Sequence, residues 1–532
     1  MFINTLRQSL LSRGKRVAVK EHQHSQSKLQ KCVSGAELDS MALTLAASLQ
    51  QSQPGNSRII VILDAGIDFV TILLACLYSG TIIIPHSPPK SKHDFTRLHK
   101  VIEDSAANML VCKSQLVTSF ANTCPDIDCY SIDELLSTST MAQTENIAPP
   151  KDNQTAIIQY SSGSTSEPKG ILVTYEMIAH NHAIVEKRWE LSDSTIGLTW
   201  LPHWHDMGLF GGLLYPLLSG GWIITLSPLE FVKRPLNWLT LISDYKVTLS
   251  GGPPFAYDLV EKLANDTDVS SLDLRSWKTA YCGADYIPLH TYHNFVQRFS
   301  ALGLGESAFF ACYGMAEITL FAGGEPYNQQ VKQRLVHNTH HLLPCYIPNN
   351  DNHISIFHVD SPQPLDDGQS GEICFSTKSA LSGYLNTDLK GFTFAGKFWV
   401  RSGDYGFIDD ELLYITGRLK DIIKVRGKTL FPIDFAILAN EQYTQLNQLV
   451  FFMSFSKQEN QEDLVFLIEH KHKDVTSITS AHIEHLQQLF NQAFGVFIKH
   501  IHVLPRGKMP KTTSGKVNRS AIDDAFLSTI IK

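Results

Sequence analysis

Short apolar runs alternate with helix-like segments along most of the chain. Residues 57–64 read SRIIVILD, the apolar positions of 69–77 predict a helix, and 81–85 form a second apolar run. Two apolar strands joined by a helix at this spacing are typical of parallel sheets covered by helices. Later runs of the same kind lie at 108–112, 196–201, 222–226, 246–250 and 278–282. The pattern therefore predicts an α/β protein.

The pattern changes twice towards the C-terminal end. From about residue 353, β stretches separated by Pro, Asp and Gly predict a small β-rich subdomain. A second change near 417–421 is followed by short strands, an amphipathic helix near 481–494 and a basic tail. We therefore predict a large body of two helix-covered sheets plus the β-rich subdomain over residues 1–417. A small, mobile α+β lid is predicted over residues 418–532.

Composition narrows the class of protein. Of 532 residues, 43% are hydrophobic and 18% charged, which excludes a disordered chain. A net charge of −7 gives no general attraction to nucleic acid or to an anionic membrane. Nine cysteines without a CxxC pair favour reduced thiols, as in cytoplasmic enzymes. Residues 1–16 lack a signal-peptide core, and the apolar stretch 69–85 contains polar residues, so neither secretion nor membrane insertion is expected.

A loop rich in small residues is the strongest candidate for phosphate binding. Residues 160–170, YSSGSTSEPKG, directly follow the apolar run AIIQ. Small residues let backbone N–H groups approach phosphate oxygens, hydroxyl groups add donors, and Lys169 adds positive charge. The Walker A pattern GxxxxGK[ST] is absent from the chain. Taken alone, these residues fit a flexible surface loop better than a phosphate site.

Resemblance to a known family changes that interpretation. SSGSTSEPKG resembles the phosphate-loop signature of the adenylate-forming superfamily, which includes acyl-CoA synthetases, nonribosomal adenylation domains and firefly luciferase. Five more signatures of that family follow in its order: YCGAD at 281–285, YGMAE at 313–317, RSGD at 401–404, GRLKD at 417–421 and PKTTSGK at 510–516. Six ordered signatures identify the chain as a member of this superfamily.

The resemblance implies ATP as substrate, Mg²⁺ as cofactor and a role for each signature. The implied ATP contacts are Ser161, Ser162, Gly163, Ser164, Thr165, Lys169, Gly283, Ala284, Asp285, Tyr313, Gly314, Met315, Ala316, Asp404 and Arg418. Glu317 is expected to hold Mg²⁺ and act in catalysis, Lys516 to be the catalytic lysine, and Lys420 to be the hinge of the lid. A surface ion pair is the alternative interpretation of Asp404 and Arg418.

These residue types suit the reaction of a carboxylate with the α-phosphate of ATP. A carboxylic acid with a pKa of about 4.3, like that of Glu, is already ionised at neutral pH, so no general base is required. The main obstacle is repulsion between two anions, which calls for positioning and positive charge. Lys516 is suited to bridge the two reactants. Outside its signature, Lys516 would read as an ordinary solvated lysine of the basic tail 499–519.

Two further segments resemble fatty acyl-AMP ligases, which activate fatty acids for polyketide or nonribosomal assembly lines. They are WLPHWHDMGL at 200–209 and SGGPPFAYDL at 250–259. The implied fatty-acid contacts are His205, Asp206, Met207, Gly208, Ser250, Gly251 and Gly252. His205 is assigned to the catalytic centre, where it would shape the mouth of the substrate site. A packed, hydrogen-bonded histidine is its alternative.

The resemblance implies formation of acyl-AMP and pyrophosphate, followed by acyl transfer to the phosphopantetheine thiol of an acyl carrier protein. Two departures leave CoA open as acceptor. The interval 323–354 lacks the insertion common in fatty acyl-AMP ligases, and Phe435-Ala436 replaces their usual Ile-Glu. A medium- or long-chain acyl-CoA synthetase is therefore one alternative. A non-catalytic adenylate-binding or carrier-docking module is another, although Lys516 and Glu317 argue against it.

Overall fold

The computed structural model describes most of the chain. The described residues are 2–22, 31–52, 57–138, 147–161, 169–285, 287–326, 334–336, 340–342, 345–346, 352–381, 383–387, 391–425, 428–443, 445–458, 461–510, 517, 521–522, 526 and 530. Helices and strands alternate over the first three hundred residues or so, and strands dominate after that. This order matches the predicted change from alternating strands and helices to a β-rich part.

Fourteen α-helices occur among the described residues. They are α1 Phe2–Arg13, α2 Gly35–Ser52, α3 Ile67–Ser79, α4 Lys92–Ser105, α5 Val117–Thr123, α6 Ile132–Thr138, α7 Tyr175–Arg188, α8 Tyr215–Leu218, α9 Pro228–Lys233, α10 Asn237–Tyr245, α11 Pro254–Asn265, α12 Leu289–Ser300, α13 Pro432–Gln442 and α14 Ser480–Phe494. A π-helix, Met207–Leu214, precedes α8.

The same residues contain twenty-seven strands. They are β1 Val17–Glu21, β2 Cys32–Ser34, β3 Arg58–Ile62, β4 Ile82–Pro85, β5 Met109–Cys112, β6 Asp128–Ser131, β7 Thr155–Ser161, β8 Lys169–Thr174, β9 Ile196–Thr199, β10 Trp222–Thr225, β11 Leu249–Gly252, β12 Thr279–Cys282, β13 Phe309–Gly314, β14 Phe321–Pro326, β15 Arg334–Val336, β16 His340–Leu342, β17 Cys345–Tyr346, β18 Asn352–Phe357, β19 Gly371–Thr377, β20 Gly391–Phe394, β21 Lys397–Asp409, β22 Leu412–Arg418, β23 Ile423–Val425, β24 Lys428–Leu430, β25 Leu446–Gln458, β26 Gln461–His470 and β27 His500–Leu504.

Two large sheets, both parallel at their centres, form the α/β part of the molecule. One has eight strands in the order β14-β13-β12-β11-β9-β10-β1-β2, and the other has six in the order β6-β5-β3-β4-β7-β8. One continuous hydrophobic core includes Val61 and Ile83 of the smaller sheet together with Ile223 and Leu249 of the larger one. Parallel strands buried on both faces explain why these segments read as unbroken apolar runs. The predicted α/β architecture with two helix-covered sheets is confirmed.

The β-rich part and the C-terminal region form separate sheets. The β-rich part pairs β17-β22-β21-β19-β18, with β20 added alongside β21. The C-terminal region contains the hairpin β23–β24 and the three-stranded sheet β25-β26-β27. The second sheet is covered by a core that includes Phe435, Phe466 and Phe490, whose rings pack within 5.0 to 6.0 Å of one another. The helix predicted near 481–494 is observed as α14.

The π-helix is an element that the apolar pattern does not predict. Its sequence, MGLFGGLL, is buried throughout. At Gly212 an added Cβ would lie 2.5 Å from Oγ1 of Thr199, so only glycine allows the helix to pack this closely on β9. The three glycines of this segment obscure the helical period, although the close packing itself depends on them.

Candidate active site

The ends of three neighbouring parallel strands bring the predicted segments together. In the larger sheet, β11, β12 and β13 are adjacent, and Gly252 pairs with Cys282, which pairs in turn with Ala311. Ligands of open α/β sheets bind beyond the carboxyl ends of the strands. The segments after these strands carry YGMAE, YCGAD and SGGPPFAYDL. The topology therefore places three predicted ligand-contacting segments at one edge of the sheet.

Glu317 is presented at this edge by a tight turn. β13 ends at Gly314, where an added Cβ would lie 1.7 Å from the carbonyl oxygen of Leu320, so no side chain fits. A 3₁₀ turn, Ala316–Ile318, follows and carries Glu317. The carboxylate accepts a 3.1 Å hydrogen bond from the hydroxyl of Tyr384. Glu317 is thus directed by its own turn and by a residue that the sequence analysis did not select.

The electrostatic environment of Glu317 connects it with other predicted residues. Burial is the main cause that raises the pKa of Glu317, and the carboxylate of Asp206 raises it further. The hydroxyl of Tyr384 and the guanidinium of Arg418 act in the opposite direction. Interactions of this kind need groups that are near one another. Glu317, Asp206 and Arg418, which come from three separate signatures, therefore share one region.

Asp404 is the centre of a second cluster. It is only 5% exposed, and its Oδ2 accepts a 2.7 Å hydrogen bond from the hydroxyl of Tyr313. Its Oδ1 lies 3.1 Å from Nε of Arg418, which faces it across the β21–β22 pair. Asp404 is the largest cause that raises the pKa of Arg418. Asp404 and Arg418 do form an ion pair, as the alternative interpretation proposed, but its carboxylate is buried.

The segment YCGAD, in which Gly283, Ala284 and Asp285 are the predicted contacts to ATP, is packed on one side and open on the other. At Gly283 an added Cβ would lie 2.7 Å from the carbonyl oxygen of Cys312, which requires glycine. The next residue, Ala284, has a φ of +64°, and both Ala284 and Asp285 are exposed. Tyr281 is buried and its ring stacks on that of Trp189, with centroids 4.7 Å apart. Tyr281 therefore packs in the core, whereas the two exposed residues remain accessible to a ligand.

The predicted phosphate loop is framed by the antiparallel pair of β7 and β8. Ser161 pairs with Lys169 at the base of the connection between these strands. The ammonium of Lys169 lies 5.5 Å from the centroid of the Tyr384 ring. The predicted contacts of five residues lie outside the described part of the chain: those of Ser162, Gly163, Ser164 and Thr165, and that of the Ser161 side chain.

The segment after β9 carries the predicted contacts to the fatty acid. Oδ1 of Asp206 accepts a 2.8 Å hydrogen bond from the backbone N–H of Met207 and so begins the π-helix. The backbone N–H of His205 donates to the carbonyl of Pro202. At Gly208 an added Cβ would lie 2.2 Å from that same carbonyl oxygen. Asp206 is therefore fixed by the N-terminus of the π-helix that it begins.

The predicted contacts at the end of β11 are tightly packed. The hydroxyl of Ser250 donates to the carbonyl of Leu198 and accepts from Nε1 of Trp238, and the residue is fully buried. An added Cβ would lie 2.0 Å from the Tyr281 carbonyl oxygen at Gly251 and 2.6 Å from the Trp200 ring at Gly252. Ser250 thus holds β9, β11 and α10 together. Its contact with a fatty acid, and those of the two glycines, stay predictions.

The described chain also fixes the approach to Lys516. Glu469, fully buried at the end of β26, accepts hydrogen bonds at Oε1 from the backbone N–H groups of Gly507 (2.8 Å) and Met509 (3.3 Å). The turn before PKTTSGK is therefore attached to the C-terminal sheet. Lys516 itself lies outside the described residues. Lys420, the predicted hinge, lies in the 3₁₀ turn Leu419–Asp421 directly after β22.

Tyr384 and Glu469 are the functional candidates that the sequence analysis missed. Glu469 gave a signal, because it is an acidic residue that directly follows the apolar run LVFLI. Tyr384 gave none, because a tyrosine in a polar loop is unremarkable without its partners.

Among the described residues, no three His, Cys, Asp or Glu side chains are grouped to hold a metal ion.

Comparison with known proteins defines the class. A model of the family described as AMP-binding enzyme matches residues 7–385. The chain belongs to this family. It is 28% identical to the medium-chain-fatty-acid–[acyl-carrier-protein] ligase JamA of Moorena producens, over 92% of this chain and 89% of that protein.

Solved structures give the same picture. The crystal structure of a fatty acyl-adenylate ligase from Legionella pneumophila, in complex with acyl adenylate and pyrophosphate, is 27% identical, with a TM-score of 0.71 and coverage of 99% of this chain and 96% of that one. A structure from a study of such ligases of E. coli and L. pneumophila shares the fold at 24% identity, with a TM-score of 0.84 and coverage of 99% and 98%. The predicted resemblance to adenylate-forming enzymes, and to fatty acyl-AMP ligases among them, is confirmed.

Every helix of the described residues is too short or too polar to cross a bilayer.

Proposed function

We propose that the protein is a fatty acyl-AMP ligase. A carboxylate oxygen of the fatty acid attacks the α-phosphorus of ATP, pyrophosphate leaves, and acyl-AMP is formed. The thiol sulfur of a phosphopantetheine group then attacks the acyl carbon, and AMP leaves. The observation that carries this proposal is the meeting of Tyr313, Asp404 and Arg418, with Glu317 nearby, at the carboxyl end of the larger sheet.

Asp404 is suited to hold the ribose of ATP. Its buried carboxylate already has Tyr313 and Arg418 as partners, so its oxygens are fixed in position before a ligand arrives. A carboxylate accepts hydrogen bonds at both oxygens and has about four sites for them, which leaves room for two ribose hydroxyl groups. The ring of Tyr313, fixed through its hydroxyl, and the open turn at Ala284 would then flank the adenine.

Positive charge is what the reaction needs most, since both reactants are anions. Lys169 lies at the base of the phosphate loop and Arg418 beside the proposed ribose site, and each contributes a cationic side chain. We assign Lys516 to the point where the fatty carboxylate meets the α-phosphate. A fixed charge in a site that excludes water stabilises the transition state without having to reorganise during the reaction.

The residues present fit a magnesium ion. Mg²⁺ is usually bound through one or two carboxylates together with substrate phosphates. Glu317 and Asp206 provide two carboxylates; burial is the main cause that raises the pKa of Glu317, and repulsion by Asp206 adds to it. Mg²⁺ bound here would neutralise the β- and γ-phosphates. Glu317 is the residue that we propose as its ligand.

A movable lid accounts for the second half of the reaction. We propose that residues 418–532 turn about Lys420, so that Lys516 first faces the ATP site and is later replaced by the incoming thiol. The fixed turn at Gly507 and Met509 supports this assignment, because it ties the approach to Lys516 to the C-terminal sheet. The turn that precedes the signature of Lys516 would therefore move with that sheet as one unit.

An acyl carrier protein is the acceptor that we favour. JamA and the relative TtuA of Teredinibacter turnerae, 29% identical over 91% of this chain and 87% of that protein, are both named as ligases acting on carrier proteins. Exposed Arg506 and Lys508, on the turn held by Glu469, offer positive charge to an acidic partner. CoA is the second candidate acceptor, since the insertion expected of fatty acyl-AMP ligases is absent from the interval 323–354.

Two assays test the proposal. Pyrophosphate release is measured with saturated and unsaturated fatty acids of different lengths, with amino acids as controls. Release with amino acids but not with fatty acids would refute the substrate class. The acyl-AMP formed is then offered to CoA and, separately, to a phosphopantetheinylated carrier protein. Faster thioester formation on CoA would replace the carrier protein by CoA and leave the first step unchanged.

A further inference from the structure

We propose that Tyr384 is a positioning residue for the nucleotide, because it joins the base of the phosphate loop to the carboxylate of Glu317. Its hydroxyl orients Glu317 and its ring orients Lys169. This inference rests on the proposed function and deepens it, since it adds a residue outside the six signatures to the same site.

The backbone around Tyr384 is attached on both sides. The N–H of Leu381 donates a 2.7 Å hydrogen bond to the carbonyl of Glu317, and the N–H of Leu385 donates a 2.8 Å bond to the carbonyl of Gly170. Between these two bonds, Tyr384 forms a β-bridge with Ile171 of β8. The segment therefore connects the turn that carries Glu317 with the strand that leaves the phosphate loop.

The side chain of Tyr384 makes a second connection between the same two elements. Its hydroxyl donates a 3.1 Å hydrogen bond to Oε1 of Glu317. Its ring centroid lies 5.5 Å from Nζ of Lys169, within the range of a cation–π contact. One residue thus contacts the predicted metal ligand and the predicted phosphate-binding lysine, which are 148 residues apart in the sequence.

These contacts have a specific consequence for ligand binding. The hydrogen bond engages Oε1 of Glu317 and so fixes the direction in which Oε2 points. A hydrogen bond to an ionised acceptor is about twice as strong as one between neutral groups, so its loss would release the carboxylate. The ring lies beside the lysine ammonium at the end of the phosphate loop, where β8 begins. Hydroxyl and ring therefore have separable effects, on metal-dependent and metal-independent binding of ATP.

Three variants separate these effects. Tyr384→Phe removes the hydroxyl and keeps the ring, whereas Tyr384→Leu removes both. Tyr443→Phe is the matched control, because its hydroxyl also contacts a side chain, Nδ1 of His485, but on the C-terminal sheet side of the molecule. ATP binding is measured by calorimetry without fatty acid, once with Mg²⁺ and once with EDTA. Thermal midpoints of all variants are recorded in parallel.

Loss of the Tyr384 hydroxyl should weaken ATP binding only when Mg²⁺ is present. Tyr384→Phe should weaken ATP binding about 10-fold in Mg²⁺ and change it less than about two-fold in EDTA. Tyr384→Leu should also weaken binding in EDTA, by about two- to five-fold, because the contact to Lys169 is lost. The control should match the wild type under both conditions. Equal losses with and without Mg²⁺ in Tyr384→Phe, or none, would overturn the proposal.

A double-mutant cycle tests whether Tyr384 acts through Glu317. In a Glu317→Gln background, Tyr384→Phe should have little further effect on ATP binding in Mg²⁺, because the charged acceptor is already gone. Steady-state kinetics of Tyr384→Phe should show a higher KM for ATP and an unchanged KM for the fatty acid. Full additivity of the two substitutions would contradict a positioning role.

The failure of this inference differs from failure of the proposed function. If the wild-type protein binds ATP but releases no pyrophosphate with any fatty acid, the proposed function fails, while the binding data still decide the role of Tyr384. If the wild-type protein forms acyl-AMP and Tyr384→Phe binds ATP as tightly in Mg²⁺, only the role of Tyr384 is refuted.

Discussion

The hydroxyl of Tyr313 lies 2.7 Å from Oδ2 of Asp404, although the two residues are 91 positions apart in the sequence. This bond joins the end of β13 in the larger sheet to β21 in the β-rich part. It therefore fixes the distance between the proposed adenine and ribose contacts across two sheets that fold from different stretches of the chain. The site depends on how these sheets are placed against one another.

Replacing Asp404 should weaken ATP binding and leave the fold intact. Asp404→Asn keeps the size of the side chain but removes the charge. The N–H₂ group of the new amide would face the Tyr313 hydroxyl or the Arg418 guanidinium, which are themselves hydrogen-bond donors to this position. We expect a loss of about 2 kcal/mol of binding free energy, or roughly 30-fold in Kd, measured by calorimetry. Asp367→Asn, at an exposed position before β19, is the control and should bind ATP normally. Unchanged affinity in Asp404→Asn would remove Asp404 from the ribose site.

Replacing Lys516 should slow acyl-AMP formation. Lys516→Ala removes the charge that we assign to the meeting point of the two anions, and a loss on the order of 10²–10³ in rate is expected. The rate is measured as fatty-acid-dependent hydroxamate formation. Lys508→Ala changes an exposed lysine of the same basic tail and should retain the wild-type rate. A normal rate in Lys516→Ala would refute the catalytic assignment.

Replacing Gly314 should destabilise the protein as well as the site. In Gly314→Ala the new Cβ would meet a backbone carbonyl oxygen at 1.7 Å, which no side-chain movement can relieve. A cost of about 1–3 kcal/mol in the free energy of unfolding is expected, read from denaturant unfolding, together with weaker ATP binding. Gly305→Ala is the matched control, since nothing lies within 4 Å of its added Cβ. Equal stability of the two variants would show that β13 and β14 can shift freely.

The buried carboxyl of Asp434 should make stability depend on pH. Burial raises the pKa of Asp434 to about 7 in the folded protein, from 3.8. The folded form thus holds this proton more tightly than the unfolded form, so this residue's contribution to stability falls as pH rises from about 4 to about 7 and is constant above that. Asp434→Asn should therefore increase the free energy of unfolding more at pH 8 than at pH 4, by up to about a few kcal/mol. The measurement is the thermal midpoint, which should rise more at pH 8 than at pH 4.

The control for this prediction lies on the same helix. Glu441→Gln removes a carboxylate from an exposed position of α13 and should change the thermal midpoint little at either pH. If Asp434→Asn shifted the midpoint equally at pH 4 and pH 8, ionisation of Asp434 would not be the cause.

The sequence was most informative where a residue's role follows from its position at the end of a strand. β12 and β13 end within the signatures that were selected, because apolar runs followed by glycine mark both the strand and its exit into the site. Tyr384 could not be found this way. Its importance comes from contacts with Glu317 and Lys169, and only the three-dimensional packing brings those residues to it.

Ser250 illustrates the opposite case. It lies in a segment that resembles the acyl site, yet its hydroxyl is engaged on both sides within the sheet. A sequence motif shows which residues lie in the same segment. It does not show which of their side chains line a cavity and which pack behind its wall. That distinction depends on which way each side chain of a strand faces.

The pairing of Arg418 with Asp404 has a consequence for the whole catalytic cycle. Arg418 is the last residue of β22, and the chain leaves the β-rich sheet directly after it. If the C-terminal region rotates at Lys420, the rotation begins two residues from Arg418, the ion-pair partner of the proposed ribose-binding carboxylate of Asp404. Nucleotide binding and cap orientation are then thermodynamically linked, and linkage is reciprocal. The orientation of the C-terminal region that AMP-containing ligands favour is also the one that binds them most tightly. Release of AMP is therefore coupled to rotation of this region back to its other orientation.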